Sequence, residues 1–331
     1  MNPEDFTHFV VLPHLKVRNA NAISSPLTHG FPSITAFLGL MWALERKART
    51  AGLDLAFNGV GVICHDFEEQ TTEGGFVKSF RLTRNPLHIP ADKKWIDKDG
   101  KTSSPAIVEE GRIHLELSLV LAVWAENWAQ DAQPRDLQTI SELLQTMRVA
   151  GGTLLPSAAR RRPWIEDFTS NRPDDRAAAF HRLRTRLLPG SALVARDDLV
   201  DRRLRELQTD NPGATRLDAW LSLSRSNWHY DAAANAGRGG WQSDRSKGSG
   251  WIVPIPVGYG ALGELHAAGS VPNARDATTP FRFVESLYSM GEWIGPHRLH
   301  RPQDLLWYAD SRPEEGLYRC RNDYRTPETT L

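Results

Sequence analysis

The sequence predicts an α+β fold whose first half is a βαββαβ split of the ferredoxin-like kind, enlarged by large helical and loop insertions. Three observations carry this expectation. Residues 112–123, RIHLELSLVLAV, put Ile113, Leu115, Leu117, Leu119 and Leu121 on one face, the period of a half-buried strand. Ile34, Phe37, Leu38, Met41 and Leu44 recur at helical spacing behind Pro32 and Ser33, which predicts a helix to about Arg49. Up to residue 156 the segments read β-α-β-β-β-α-β, and with one hairpin set aside as an insertion that order is the split.

Taken in turn, HFVVLPHLKV (8–17) reads as a strand that Pro13 interrupts, at a bulge or an edge. Residues 18–31 read as a loop. FNGVGVICHDFE (57–68) is a second strand, GGFVKSFRLT (74–83) a strand after a Gly-Gly turn, and 100–105 a loop. Residues 133–149 form an amphipathic helix, and AGGTLLP (150–156) a strand led by glycine. From 157 to 190 the chain turns Arg-rich and helix-prone. Residues 191–208 begin as a strand and become a charged helix, and 215–230 read as another helix. A Gly-rich, net basic loop covers 232–250, before strand-like patterns at 251–262 and 281–290. The expected division is a core at 1–156, an Arg-rich and mostly helical insertion at 157–230, and a body-completing segment at 231–331.

Among the 331 residues, Lys plus Arg equals Asp plus Glu at 40 each, so any nucleic-acid partner must be met by a local basic face. Two cysteines, Cys64 and Cys320, are too few for a disulfide framework or a CxxC metal site, which suggests a reducing cytoplasm. The N-terminal MNPEDFTHFVVLPHL lacks the basic start of a signal peptide, and no window approaches about 18 apolar residues, so no membrane partner is expected. GxSxG, Walker-type and HExxH motifs are absent, and Gly59-Val60-Gly61 lacks the remaining glycines of a dinucleotide fingerprint. His114-x-Glu116 has no paired cysteines to complete a deaminase zinc site. No metal or cofactor is expected from these motifs.

The candidate residues are therefore binding residues. Asn19, Asn21, Ser24, Ser25 and Thr28 are short donors and acceptors between a strand end and a helix start, where orphan N–H groups favour an anion. The same residues can also serve their own turns and caps. Arg148 precedes Gly151-Gly152, and paired glycines let another backbone approach closely and leave N–H groups for phosphate. LTRNPL sets Arg84 beside Asn85, and PNARDATTPFRF carries Arg282, both in Pro-marked loops. Arg160, Arg161 and Arg162 lead into Trp164, which suits a single-stranded backbone with stacked bases or a solvated helix balanced by Glu166 and Asp167.

NANAISSPLTHGFPSITAFLGL (19–40), LTRNPL, AIVEEGRIHLELSLVL, RVAGGTLLP, RLLPGSALVARD, WIVPIPVGYGAL, NARDATTPFRFVE and GEWIGPHR run in order to about residue 320. This series resembles the Csy-two family, the Cas-five-type subunits of type I-F CRISPR-Cas surveillance (Cascade/Csy) complexes. The resemblance implies a protein of the repeat-associated (RAMP) superfamily, with a ferredoxin-like, RRM-related domain. It implies binding to the 5′ handle of the CRISPR RNA and a heterodimer with the large Cas-eight-type subunit. It also implies contact with the first Cas-seven-type backbone subunit, and target DNA as a partner of the assembled complex. Guide cleavage would belong to a separate Cas-six-type endonuclease.

On this resemblance the 18–33 loop with Asn19, Asn21, Ser24 and Ser25 faces RNA. Arg84, Asn85, Arg112, Arg148, Gly151, Gly152 and Arg282 are expected beside it. The 157–190 segment is thumb-like, and Arg160, Arg161, Arg162 and Trp164 are its expected contacts with neighbouring subunits. Two other readings stand beside this one. A metal-independent RNA endonuclease would use His29, His114 or His297 as its base. A pure protein scaffold would touch no RNA.

Overall fold

The structure, a computed structural model, describes residues 5–84, 106–155, 161–234, 238–245 and 250–325. Its frame is a large antiparallel sheet. β1 (His8–Asn21) extends past the predicted end at residue 17, and its register against β9 (Arg112–Trp124) slips twice, between Leu12 and Leu15 and between Val17 and Ala20. The first slip is the bulge expected at Pro13. The second lies where the sequence reads as loop, and the rest of that region is a small hairpin, β2 (Ile23–Ser25) with β3 (Thr28–His29). Hydroxyls make the hairpin: Ser25 Oγ accepts from the Leu27 and Thr28 amides and pairs with Thr28 Oγ1 at 2.6 Å.

The predicted first helix is α1 (Ile34–Thr50), capped by Ser33, whose oxygen accepts from the Thr35 amide. β4 (Ala56–Glu69) follows, then the small strands β5 (Thr72–Gly74), β6 (Val77–Ser79), β7 (Arg81–Arg84) and β8 (Ile107–Glu110), paired antiparallel as β5 with β6 and β7 with β8. α2 (Gln133–Gln145) is shorter than predicted, because residues 148–149 form β10 (Arg148–Val149), which turns into β11 (Gly152–Leu155). The sheet runs β11-β1-β9-β4 with every neighbour antiparallel.

The alternation along β9 sorts its two faces. Ile113, Leu115, Leu117, Leu119 and Leu121 are buried with Ile34, Phe37, Leu38, Met41 and Leu44 of α1 in one cluster. Each such side chain, fully buried, contributes about 1.5–3 kcal/mol. The opposite face is divided. Val120 and Ala122 are covered by α3 (Pro173–Arg186) through Phe180, Leu183 and Leu187, together with Phe9 and Val11 of β1. Arg112, His114 and Glu116 of the same face are only half-buried. Residues 164–167 were expected within a helix-prone stretch but form β12 (Trp164–Asp167), because β1 offers an unpaired edge at His8–Val11.

The second half extends the sheet. β13 (Ser191–Ala195) and α4 (Asp197–Asp210) match the predicted strand-to-helix segment. α5 (Arg216–Ser224) ends early, since Trp228–Asp231 is a strand, β14, paired with β15 (Gly240–Ser243) inside the expected loop. β16 (Trp251–Ala261) and β17 (Val284–Ile294) carry the predicted patterns, and β18 (Trp307–Arg312) and β19 (Leu317–Asn322) complete the set. The ladder β4-β13-β17-β16-β19-β18 returns to β4 where Trp307 pairs with Val60. Trp307 is fully buried, and its indole donates to Leu193 O at 2.7 Å, which ties the closure together. Among the described residues no helix is long and apolar enough to cross a membrane.

Candidate nucleic-acid interface

The uncovered half of the sheet face becomes a basic groove at the ends of β1, β9 and β10. Cross-strand partners share a face, so the pairs Lys16–Glu116, Arg18–Thr153 and Arg148–Thr153 set these side chains beside Arg112 and His114. The resulting groove of about 460 Å³ is lined by Arg18, Asn19, Gln70, Arg81, Thr83, Glu110, Arg112, Arg148, Gly151 and Thr153. Four guanidinium groups face one carboxylate there.

The bulge between Val17 and Ala20 is what aims Arg18 and Asn19 outward. Asn19 is left-handed, with φ 57°, and its amide donates to His114 Nδ1 at 3.2 Å. Arg112 donates to Asn19 O at 3.4 Å from one terminal nitrogen and forks onto Glu110 through the other two. The opposite wall is the turn between β10 and β11. Ala150 and Gly151 are both left-handed, Asn21 N donates to Ala150 O at 2.9 Å, and Arg148 donates to Gly151 O at 3.4 Å.

Gly151 and Gly152 have separate reasons to be glycine. A Cβ at Gly151 would meet nothing within 4 Å, so that position is open to the groove. A Cβ at Gly152 would lie 2.7 Å from Val17 Cγ1 and 2.8 Å from Ala20 N. The close approach expected at Gly152 is therefore made by the chain's own β1.

The structure brings together Asn19, Arg112, Arg148 and Gly151 of the predicted set. It adds Arg18, Arg81 and Thr153, which the sequence reasoning missed; no local pattern marks them, since the Val17/Ala20 bulge and the strand pairs Arg18–Thr153 and Arg81–Glu110 bring them to the groove. Asn21 and the serines sit beside the groove with their groups engaged locally. Asn21 Nδ2 donates to Ile23 O at 2.7 Å, and Ser24 Oγ lies 2.8 Å from Thr28 Oγ1. Arg84 is exposed on β7 and pairs in register with Ile107. Arg282 lies at a different place, where it donates to Pro313 O at 2.9 Å under the β18–β19 turn. Asn85, Arg160 and the predicted loop at 100–105 lie outside the described residues.

A second basic depression, about 440 Å³, borders the covered half of the same sheet face. Arg161, Arg162, Pro163, Trp164, Thr185, Arg186 and Leu188 line it. The Arg186 guanidinium lies 3.9 Å from the Trp164 ring centre, and Arg182 and Arg186 each approach Glu166 at 3.5 Å. Between the two depressions His14 and His65 stack, with His14 Nδ1 2.7 Å from Glu116 Oε1 and His65 Nε2 2.7 Å from Ser118 Oγ. Burial holds the His65 imidazole below its ordinary value.

On the α1 side of the sheet, a cavity of about 450 Å³ has aromatic walls at Phe31, Phe67, Trp251 and Trp293. Burial pushes the Cys64 thiol at its edge up to about 12, which keeps it protonated at neutral pH. The three histidines of the nuclease reading are not gathered. His114 borders the groove, His29 pairs with Glu69 at 3.0 Å by the hairpin, and the His297 carbonyl accepts from Arg184 of α3. Among the described residues no group of three or more His, Cys, Asp or Glu side chains is placed to hold a metal ion.

Comparison with known proteins agrees over nearly the whole chain. The family described as CRISPR-associated protein (Cas_Csy2) matches residues 10–320. The CRISPR-associated protein Csy2 of Pseudomonas aeruginosa (strain UCBPP-PA14) is 44% identical over 329 residues, which covers 96% of each chain. With the match spanning both the groove strands and the ring-closing half, the chain belongs to the Csy2 family of CRISPR-associated proteins.

Proposed function

We propose that this chain is a non-catalytic subunit of a type I-F CRISPR RNA-guided surveillance complex, in which it binds the 5′ handle of the CRISPR RNA. The observation that carries the reading is the convergence of Arg18, Arg81, Arg112 and Arg148 with Asn19 on an open sheet face. Guanidinium groups suit phosphates, and the Asn19 side chain at a bulge suits a base or sugar edge. With a net charge of zero over the chain, attraction for RNA has to come from local basic surface such as this groove.

The strand order β11-β1-β9-β4, with α1 and α2 on one side, supports a ferredoxin-like domain of the RAMP type at residues 1–156. In this reading residues 157–230 are a helical insertion and 231–331 complete the body. The subunit is cytoplasmic, pairs with the large Cas-eight-type subunit and bridges it to the Cas-seven-type backbone, with target DNA held by the assembled complex. It is the Cas-five-type component.

The test is co-expression with the neighbouring genes and a CRISPR array, pulling on this chain and sequencing the bound RNA. A stoichiometric complex on RNA with a constant 5′ end is expected, and deleting that end should release this chain. Complete assembly on RNA that lacks it would overturn the handle reading.

A further inference from the structure

The second basic depression was expected, from sequence, to meet a neighbouring subunit. Its geometry fits a different partner. Trp164 pairs with Val11 across the strands, and Val11 lies on the same sheet face as Lys16 and Arg18, because their β9 partners Val120 and Glu116 are four residues apart on one face. The depression and the groove therefore open on one face, separated along β1 by roughly 20 Å at the usual rise of a strand.

The ground between them is polar. Lys16 is exposed, and Arg161 reaches from the depression to His14 Nε2 at 3.2 Å. The walls are guanidinium and indole. Arg161, Arg162 and Arg186 line the depression and Arg182 stands beside it, while the buried Glu166 is the carboxylate that Arg182 and Arg186 share. Arginine and tryptophan also serve protein interfaces, but a depression that shares one polar sheet face with the groove and is walled by guanidinium and indole suits a single-stranded backbone with a stacked base.

We infer that the Arg161–Arg162–Trp164–Arg186 depression is a second nucleotide-binding subsite on the same RNA, reached by the strand that leaves the Arg112–Arg148 groove. The inference rests on the RNA reading above and extends it. Arg162 and Arg182 take phosphate, and the Trp164 ring, braced by Arg186, takes a base. Arg161 is a positioning residue: it fixes the end of α3 by donating to Arg186 O at 3.1 Å and Leu188 O at 3.4 Å.

The test uses the full chain within its co-expressed complex and the RNA end recovered with it, whole and shortened stepwise. Arg162→Glu, a change at an exposed position, should weaken the whole RNA about tenfold and leave unchanged the affinity of a piece too short to span both subsites. Ultraviolet cross-linking should join the RNA to a peptide that contains Trp164. Arg112→Ala with Arg148→Ala should weaken both lengths. If Arg162→Glu leaves every length unchanged, no Trp164 peptide is cross-linked, and the variant instead loses a protein subunit, the depression is a protein interface and the inference fails. If the Arg112 and Arg148 changes are also silent, the RNA reading itself fails.

Discussion

The imidazoles of His14 and His65 stack at 4.0 Å with their planes 16° apart, and Arg161 donates to the outer nitrogen of His14. This pair joins β1 and β4 under the end of α3, and His65 Nδ1 lies 2.6 Å from Pro189 O. Burial first, opposed by the Pro189 carbonyl, holds the His65 imidazole below its ordinary value. The folded state therefore resists a proton that the unfolded chain accepts. Stability should be full above about pH 6.5 and fall as pH drops from there toward the lower folded value. His65→Gln should flatten part of that slope in melting temperatures taken from pH 7.5 to 5. A residual slope will persist, because burial lowers the His8 imidazole as well. An unaltered slope would remove His65 from the account.

The two adjacent glycines should respond differently to alanine. At Gly152 the added methyl meets Val17 and the Ala20 backbone under 3 Å, so about 1–3 kcal/mol of stability should be lost. At Gly151, φ is 77° with open space around it, and the cost should be about 1–2 kcal/mol from backbone strain alone. Urea unfolding of both variants measures this. A loss at Gly152 well under about 1 kcal/mol would contradict the close approach to β1.

Trp307 closes the ring of strands from the second half onto β4 of the first. Trp307→Ala should cost about 3–5 kcal/mol, and Trp307→Phe less, though it leaves Leu193 O without its donor. Denaturant titration should show both losses. A neutral Trp307→Ala would mean that the closure contributes nothing.

Among the described residues His29, His114 and His297 sit apart, His29 beside Glu69, His114 at the edge of the groove and His297 beside Arg184. Alanine at all three should leave the length of mature guide RNA in co-expressing cells unchanged. Accumulation of unprocessed transcript would restore the nuclease reading.

How much of this was legible differs by element. α1 and β9 were, because their apolar periods answer to a single buried face each. The β2–β3 hairpin was not, since hydroxyl bonds between Ser24, Ser25 and Thr28 set it and no apolar alternation marks it. β12 was hidden in an Arg-rich stretch and exists because β1 has an edge to fill. The pairing of β18 with β4 joins residues far apart in sequence, which no local pattern records. At the site, Asn19, Arg112, Arg148 and Gly151 were named in advance, but Arg18 and Arg81 look like any exposed arginine until the bulge and the register gather them. Arg282 was drawn in by its Pro-marked loop, and its bond to Pro313 O gives it a local structural role.

The most direct measurement is the salt dependence of handle RNA binding by the full chain, native and with Arg112→Ala plus Arg148→Ala. The account predicts a loss of affinity of similar size over all sequences, and a salt slope smaller by about 1.4, since each phosphate contact to a single strand contributes about 0.7. An unchanged affinity and slope, with the fold intact, would contradict the claim that this groove holds the RNA.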